Sequence, residues 1–144
     1  MEAVNYFESL PKVEESVIDV IHVLPPPPIP MSVVEPMFVD QAISQPWEIT
    51  VEETERRKSE EELGNILLEK IKESLKLVGY ETTPILKRGD AASEIIEYVK
   101  SNDVDLIVTG SRGFGNIKSW LMGSVSRKLV HYSDCSVLVV RGDY

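Results

Sequence analysis

The sequence has little of several features that would define its function at once. Its 144 residues include one cysteine, so no disulfide can form within the chain. Lys and Arg number 15 against 24 Asp and Glu, and the formal net charge of −9 argues against the broad basic surface that nucleic acids and anionic membranes require. No apolar run approaches membrane-spanning length, and no secretory leader pattern opens the chain. These absences predict a cytoplasmic protein without nucleic-acid or membrane partners.

The rest of the composition is that of an ordinary globular protein. Hydrophobic residues make up 42% of the chain and charged residues 27%, and the length suits a single domain over residues 1–144 with a sizeable core. Cys135 lies just before an apolar run, which favours a small buried side chain over a reactive thiol. His22 lies within a β-branched run and has no metal-ligand partners at suitable spacing, so a structural role is predicted for it.

Strand-like and helix-like segments alternate along the chain. Apolar, β-branched runs predict strands over 17–24, 81–87, 104–109 and 136–141. Helical patterns cover 1–10, the stretch from Thr50 to Gly79, and the stretch after Asp90. In the long helix, one apolar face is predicted to contain Leu63, Ile66, Leu67, Ile71, Leu75 and Val78. The alternation predicts an open, mainly parallel, twisted α/β sheet with helices on both faces.

A proline-rich excursion interrupts this pattern over residues 25–49. The run from Pro25 to Pro30 favours an extended, stiff linker, and a ligand for a proline-binding domain is the alternative. Apolar residues in the excursion, among them Phe38 and Trp47, suggest that it packs against another surface, such as a second subunit.

The stretch from Gly110 to Ser126 is the strongest candidate for a binding site. It follows a buried strand, contains glycines, and leads into a helix, an arrangement that presents backbone N–H groups to an anion. Ser124 and Ser126 add hydroxyl groups in the first helical turn, and Arg112 adds a cation. The alternative interpretation is a plain glycine-rich connection between strand and helix.

The spacing of this stretch resembles the nucleotide motif of the universal stress protein family. Gly110 is followed by two residues, Gly113, nine residues, and then Gly123-Ser124. The run from Gly123 to Arg141 is similar to the last helix and strand of that family, and the resemblance extends over most of the chain from about Met1. It implies a Rossmann-like fold that binds ATP, with Mg²⁺ as the ion that can accompany the nucleotide. The implied binding residues are Gly110, Ser111, Arg112, Gly113, Gly123, Ser124, Val125, Ser126 and, beside the adenine, Val23.

The resemblance also implies an element that this sequence does not contain. The family pattern begins with a mid-sheet strand and an Asp-Gly turn, whereas this sequence starts inside the first helix. We expect a fragment of a longer protein or a degenerate member, with an incomplete adenine pocket and an intact phosphate half.

Three functions follow as hypotheses. The first is a small ATP-binding stress-response or regulatory protein, a sensor rather than a fast enzyme, because no Gly-x-x-x-x-Gly-Lys-[Ser/Thr] loop or evident general base accompanies the motif. The second is a dimerising interaction module that has lost nucleotide binding, and the third is a nucleotide-dependent enzyme. The resemblance further implies a homodimer through the last strand, at Val137, Leu138, Val139 and Val140, and that strand is an apolar edge which needs covering.

Overall fold

The fold consists of four helices and four strands within the part of the chain that the structure describes. The structure is a computed structural model, and it describes residues 2–12, 16–27, 50–111 and 122–141. The elements in chain order are α1 (Glu2–Glu8), β1 (Ile18–Leu24), α2 (Val51–Leu77), β2 (Thr82–Arg88), α3 (Ala91–Ser101), β3 (Leu106–Gly110), α4 (Ser124–Tyr132) and β4 (Ser136–Val140). Each predicted helix and strand is present, with its ends shifted by a few residues, while most of the proline-rich excursion lies outside the described residues.

The strands form two separate parallel pairs. In the first pair β1 lies beside β2, with Ile18 opposite Thr82 and Leu24 opposite Arg88. In the second pair β3 lies beside β4, with Leu106 opposite Ser136. Within the described residues, no hydrogen-bonded ladder joins β1 to β3. The prediction of parallel strands in an α/β fold is confirmed, and the described strands form two ladders instead of one continuous sheet.

One hydrophobic core lies between the first strand pair and α2. Ile71, Leu75 and Tyr80 form its buried centre, and Ile18 and Val20 of β1 pack against them. Nearer to its N-terminus, α2 approaches the sheet closely at Gly64. A Cβ atom added there would lie 2.9 Å from Leu86 Cδ1 and 3.2 Å from His22 Cδ2. The absence of a side chain at Gly64 therefore allows this short distance between helix and sheet, and His22 has the structural position predicted for it.

The buried face of α2 differs from the prediction. Its buried residues are Gly64, Leu68, Ile71 and Leu75, which follow a spacing of four, three and four residues. Leu63 and Ile66 are exposed instead, at 65% and 59%, and Val78 is exposed at 44% just beyond the end of the helix. The prediction of Leu63 and Ile66 in the core was wrong because it counted large apolar side chains and overlooked Gly64, whose contacts fix which side of the helix faces the strands. The prediction of Val78 was wrong because α2 ends before it, at Leu77.

Both ends of α2 are fixed by local hydrogen bonds. Thr50 Oγ1 accepts from the Glu53 N–H at 3.2 Å and caps α2, as predicted. At the other end Gly79, at φ +88°, donates to Lys76 O, and Tyr80 donates to Leu75 O, each at 3.0 Å. This paired pattern closes the helix with glycine in the left-handed position, confirming the predicted stop at Gly79.

A second core lies between β3–β4 and the helices α3 and α4. Val99, Ile107 and Leu129 are buried at its centre, and Cys135 packs against them. Burial raises the pKa of the Cys135 thiol, and the nearby carboxylates of Asp105 and Asp134 contribute in the same direction. The thiol is therefore protonated near neutral pH. The side chain is partly buried, whereas the sequence predicts a buried one.

Two helices connect the strand pairs. Helix α1 lies against β3 and β4, while its Val4 and Phe7 pack into the first core, with the Phe7 and Tyr80 ring centroids 5.2 Å apart. Helix α3 contributes Val99 to the second core and also reaches β1, where Tyr98 Oη donates a 2.7 Å hydrogen bond to Asp19 Oδ2. Side-chain contacts through α1 and α3 thus hold together two halves that share no backbone ladder in the described residues. No helix among those residues is long and apolar enough to cross a membrane.

The contact between Tyr98 and Asp19 leads to a prediction about stability at high pH. Burial and then the hydrogen bond to Asp19 raise the pKa of Tyr98 from 10.0 to about 12. Because the folded-state pKa lies above the unfolded value, the contribution is complete below pH 10 and is lost as the pH rises toward 12. We expect Tyr98→Phe to lower the free energy of unfolding at pH 7 by about 1–3 kcal/mol, since Asp19 loses its donor.

Urea denaturation of both proteins between pH 7 and pH 12 measures this effect. The difference between wild type and Tyr98→Phe should shrink above pH 10. A difference that stays constant over this range would show that ionisation of Tyr98 does not weaken the connection between α3 and β1.

Candidate functional site

The residues that precede and follow the segment between β3 and α4 lie next to each other. Gly110 is the last residue of β3, and the Ser111 N–H continues the ladder by donating to Val140 O at 2.7 Å. The Ser111 carbonyl accepts from the Gly123 N–H, also at 2.7 Å. These bonds bring the start of the segment beside the first residue of α4, at the carboxyl ends of β3 and β4. Ligands of parallel α/β folds bind at such strand ends.

Ser126 fixes the helix to the strand. Its side chain is almost fully buried, with 3% exposed, and its hydroxyl donates to Gly110 O at 2.7 Å. The sequence predicted this hydroxyl as a donor to a ligand. In the structure its proton is used within the protein, so Ser126 positions the site, and only its backbone N–H is available as a donor.

The N-terminus of α4 has no capping side chain. Its N-cap is Gly123, at φ −59° and ψ 153°, and its first turn carries no acidic residue. By contrast, Thr50 caps α2 and Asp90 caps α3, and acidic residues occupy the first turn of both helices. The N–H groups of Ser124, Val125 and Ser126 have no acceptor within α4, because the first turn of a helix never provides one. Together with the helix dipole they favour an anion at this position.

The structure brings most of the predicted phosphate-binding residues together. Gly110, Ser111 and the run Gly123–Ser126 surround the start of α4. The N–H groups of Ser111 and Gly123 are used inside the chain, so the available donors are fewer than the sequence predicted. Arg112 and Gly113 lie outside the described residues.

The predicted adenine contact lies on the other strand pair. Val23 is half-buried on β1, opposite Lys87 of β2, whereas the phosphate residues follow β3. Arg88 lies at the carboxyl end of this first pair. Its guanidinium contacts Glu60 Oε2 at 3.0 Å and Pro25 O at 3.2 Å. The two halves of the predicted nucleotide site are therefore carried by strands that are not hydrogen-bonded to each other.

Sequence reasoning missed one cation near the α4 N-terminus. Lys128 Nζ lies 3.3 Å from both carboxylate oxygens of Asp90, the N-cap of α3. Asp90 also accepts from Ser93 through its backbone N–H at 3.1 Å and its hydroxyl at 2.7 Å. The Ser93 hydrogen bonds, followed by Lys128, lower the pKa of Asp90, so its carboxylate is charged at neutral pH. The spacing of four residues from Ser124 to Lys128 was the available signal.

No group of three or more His, Cys, Asp or Glu side chains in the described residues is placed to hold a metal ion. The predicted role of Asp90 as a helix cap is confirmed by its hydrogen bonds to Ser93.

Parallel strand pairs covered by helices, with a glycine-containing segment at their carboxyl ends, define an α/β protein of Rossmann-like architecture. Residues 1–141 match the model of the universal stress protein family. The chain belongs to this family.

Individual relatives match parts of the sequence. Universal stress protein YxiE from Bacillus subtilis is 41% identical over 78 residues, which are 54% of this chain and 53% of YxiE. Universal stress protein MJ0577 from Methanocaldococcus jannaschii is 37% identical over 95 residues, or 64% of this chain and 58% of the relative. The matched segment thus spans a little over half the length of these curated relatives.

Solved structures confirm the fold over nearly the whole chain. The structure of MJ0577 superposes with a TM-score of 0.75 at 23% identity, covering 99% of this chain and 87% of that one. Universal stress protein UspA from Lactobacillus plantarum gives a TM-score of 0.69 at 19% identity, with coverages of 97% and 85%. At these identities the similarity establishes the architecture, which is the one predicted from the sequence.

The buried hydrogen bond of Ser126 leads to a prediction that separates it from its neighbour. We expect Ser126→Ala to lower the free energy of unfolding by about 0.5–1.5 kcal/mol, because Gly110 O loses its partner. Ser124→Ala is the matched control, since Ser124 is exposed and its loss should leave stability within about 0.5 kcal/mol of wild type. Urea titration monitored by circular dichroism measures both variants, and equal stabilities would contradict the positioning role of Ser126.

Proposed function

We propose that this protein is a cytoplasmic, ATP-binding stress-response or regulatory protein of the universal stress family, which works as a sensor and not as a fast enzyme. The observation that carries the proposal is the uncapped N-terminus of α4, placed at the strand ends by the hydrogen bonds among Gly110, Ser111, Gly123 and Ser126. The N–H groups of Ser124, Val125 and Ser126 and the Ser124 hydroxyl would bind the phosphates. Gly110 and Gly123 would allow the ligand to approach the backbone, and Arg112 and Gly113 complete the motif in sequence.

Among the described residues no evident catalytic group lies beside the N-terminus of α4, which supports a sensor over an enzyme. ATP hydrolysis requires a positioned water and a group that orients it, together with stabilisation of the phosphoryl charge. The carboxylate described next to α4 is Asp90, and it is already bound by Ser93 and Lys128. Mg²⁺ would enter with ATP and be coordinated mainly by phosphate oxygens and water.

A homodimer through β4 is part of the proposal. Within the described residues β4 pairs with β3 on one side, and its other edge has no strand beside it. Leu138 and Val139 are half-buried, and Val140 is already 5% exposed inside its own chain. The contact would therefore use the backbone edge and the side chains from Val137 to Val139, with Val140 supporting it from within. Pairing with a second copy would cover an exposed edge and close the assembly at two chains.

One observation favours a second candidate function, that of a dimerising module without nucleotide. Val23 and the α4 N-terminus belong to strand pairs that share no ladder in the described residues, where side-chain contacts such as that of Tyr98 with Asp19 connect the adenine and phosphate halves. Purified protein can be denatured and its supernatant analysed by absorbance and ion-exchange chromatography. Stoichiometric adenine nucleotide supports the sensor, whereas a dimer that neither retains nor takes up nucleotide supports the module.

The backbone conformation of Gly123 allows a substitution that should weaken ATP binding without preventing folding. Its φ of −59° and ψ of 153° are accessible to any residue, so Gly123→Val should fold. The added branched side chain would occupy the space in which a phosphate approaches the first turn of α4. We expect ATP affinity to fall at least about tenfold, the equivalent of one charge-assisted hydrogen bond.

Calorimetric titration with ATP measures this loss, and thermal melting verifies the fold. Ser133→Val places the same side chain at the opposite end of α4 and should bind ATP like wild type. Unchanged affinity in a folded Gly123→Val protein would remove the α4 N-terminus from the site.

The proposed dimer predicts the effect of a charge in β4. Val139→Lys should shift the protein toward monomer, because two like charges would face each other across the symmetric edge. Val130→Lys is the matched control, since Val130 is 50% exposed on α4 and away from that edge. Light scattering coupled to size-exclusion chromatography gives the masses. A monomeric wild type, or a Val139→Lys variant that stays dimeric with an unchanged melting temperature, would exclude β4 as the interface.

A further inference from the structure

We propose that Lys128 and Asp90 form an exchangeable ion pair beside the phosphate site, in which an incoming triphosphate draws the Lys128 ammonium away from Asp90. The contribution of Lys128 to affinity would then increase with the number of phosphates on the ligand. Asp90 would set the size of that increase. This inference rests on the function proposed above and adds to it a residue pair that selects among nucleotides.

The position of Lys128 on α4 places it close to the proposed phosphate donors. It follows Ser124 by four residues, so the two side chains are neighbours on one exposed face of the helix. Helical side chains lean toward the N-terminus, which brings a long lysine back over the first turn. Its contact with Asp90 places the ammonium at the N-terminus of α3, two residues after the carboxyl end of β2.

The ion pair between Lys128 and Asp90 is weak enough for a triphosphate to replace Asp90 as the partner of the lysine. Lys128 Nζ is 3.3 Å from both Asp90 oxygens, a distance longer than that of a strong charge-assisted hydrogen bond. The two side chains are about half exposed, at 49% and 54%, so water screens their attraction. A triphosphate offers more charge and more acceptor oxygens than a single carboxylate, and it can therefore compete for the ammonium.

Asp90 does not depend on Lys128 to keep its position. The carboxylate accepts from the Ser93 N–H and the Ser93 hydroxyl, and these bonds would persist after the lysine leaves. An uncompensated Asp90 would then repel a nearby phosphate, which opposes binding. The pair thus gives a favourable contribution from Lys128 and an unfavourable one from Asp90, and both grow with the charge of the ligand.

The experiment measures the affinities of ATP, ADP and AMP by calorimetric titration at fixed ionic strength. Lys128→Met should weaken ATP at least about tenfold, as for loss of a hydrogen bond between charged groups, and AMP by less than about threefold. Asp90→Asn keeps the α3 cap, since asparagine caps as well as aspartate. It should tighten ATP by about twofold to fivefold, the range expected for an exposed ion pair.

Lys100→Met is the matched control. Lys100 forms a similarly exposed pair, 3.5 Å from Asp134 Oδ2, at the other end of α3, and its removal changes the net charge by the same amount. Equal ATP affinities for Lys128→Met and Lys100→Met, in a wild type that binds ATP, would overturn the inference and leave the proposed function standing. A wild type that binds no ATP at all would overturn both.

Discussion

The structure depends on side-chain packing across a gap in its backbone hydrogen bonding. Parallel sheets are normally continuous ladders that are buried on both faces. Here the described strands form two ladders, and the first and second cores lie under different pairs. Helix α1 connects them through Val4 and Phe7, and α3 connects them through Tyr98 and Asp19. The relative position of the two halves is therefore set by a few specific contacts between helices and strands.

This arrangement affects the proposed nucleotide site unequally. The phosphate half is built within one strand pair, where hydrogen bonds of 2.7 Å join Gly110, Ser111, Gly123 and Ser126 into one local unit. The adenine half depends on Val23, which moves with the first pair. Phosphate recognition can therefore survive a shift between the halves, whereas recognition of the base requires both halves to keep their relative position.

Local sequence signals predicted most of the fold because short-range physics determines them. Thr50, Asp90 and Gly79 end their helices through hydrogen bonds with residues a few positions away, and the β-branched runs formed strands. The outward position of Leu63 and Ile66 was not predictable in this way, because it depends on how closely Gly64 approaches Leu86 and His22. The glycine spacing predicted where the proposed phosphate site lies, at the carboxyl ends of β3 and β4. The use of the Ser126 hydroxyl and the contact of Lys128 with Asp90 follow from tertiary geometry, which no local pattern contains.

The single cysteine of the chain belongs to the second of the two cores. Cys135 packs against the centre of the second core, and burial keeps its thiol protonated. Its side chain is partly buried in that core, so the rate at which a thiol reagent modifies it should rise when the β3–β4 half opens. The described strands of the two halves share no ladder, and Cys135 is therefore a natural reporter on the half that carries the proposed phosphate site.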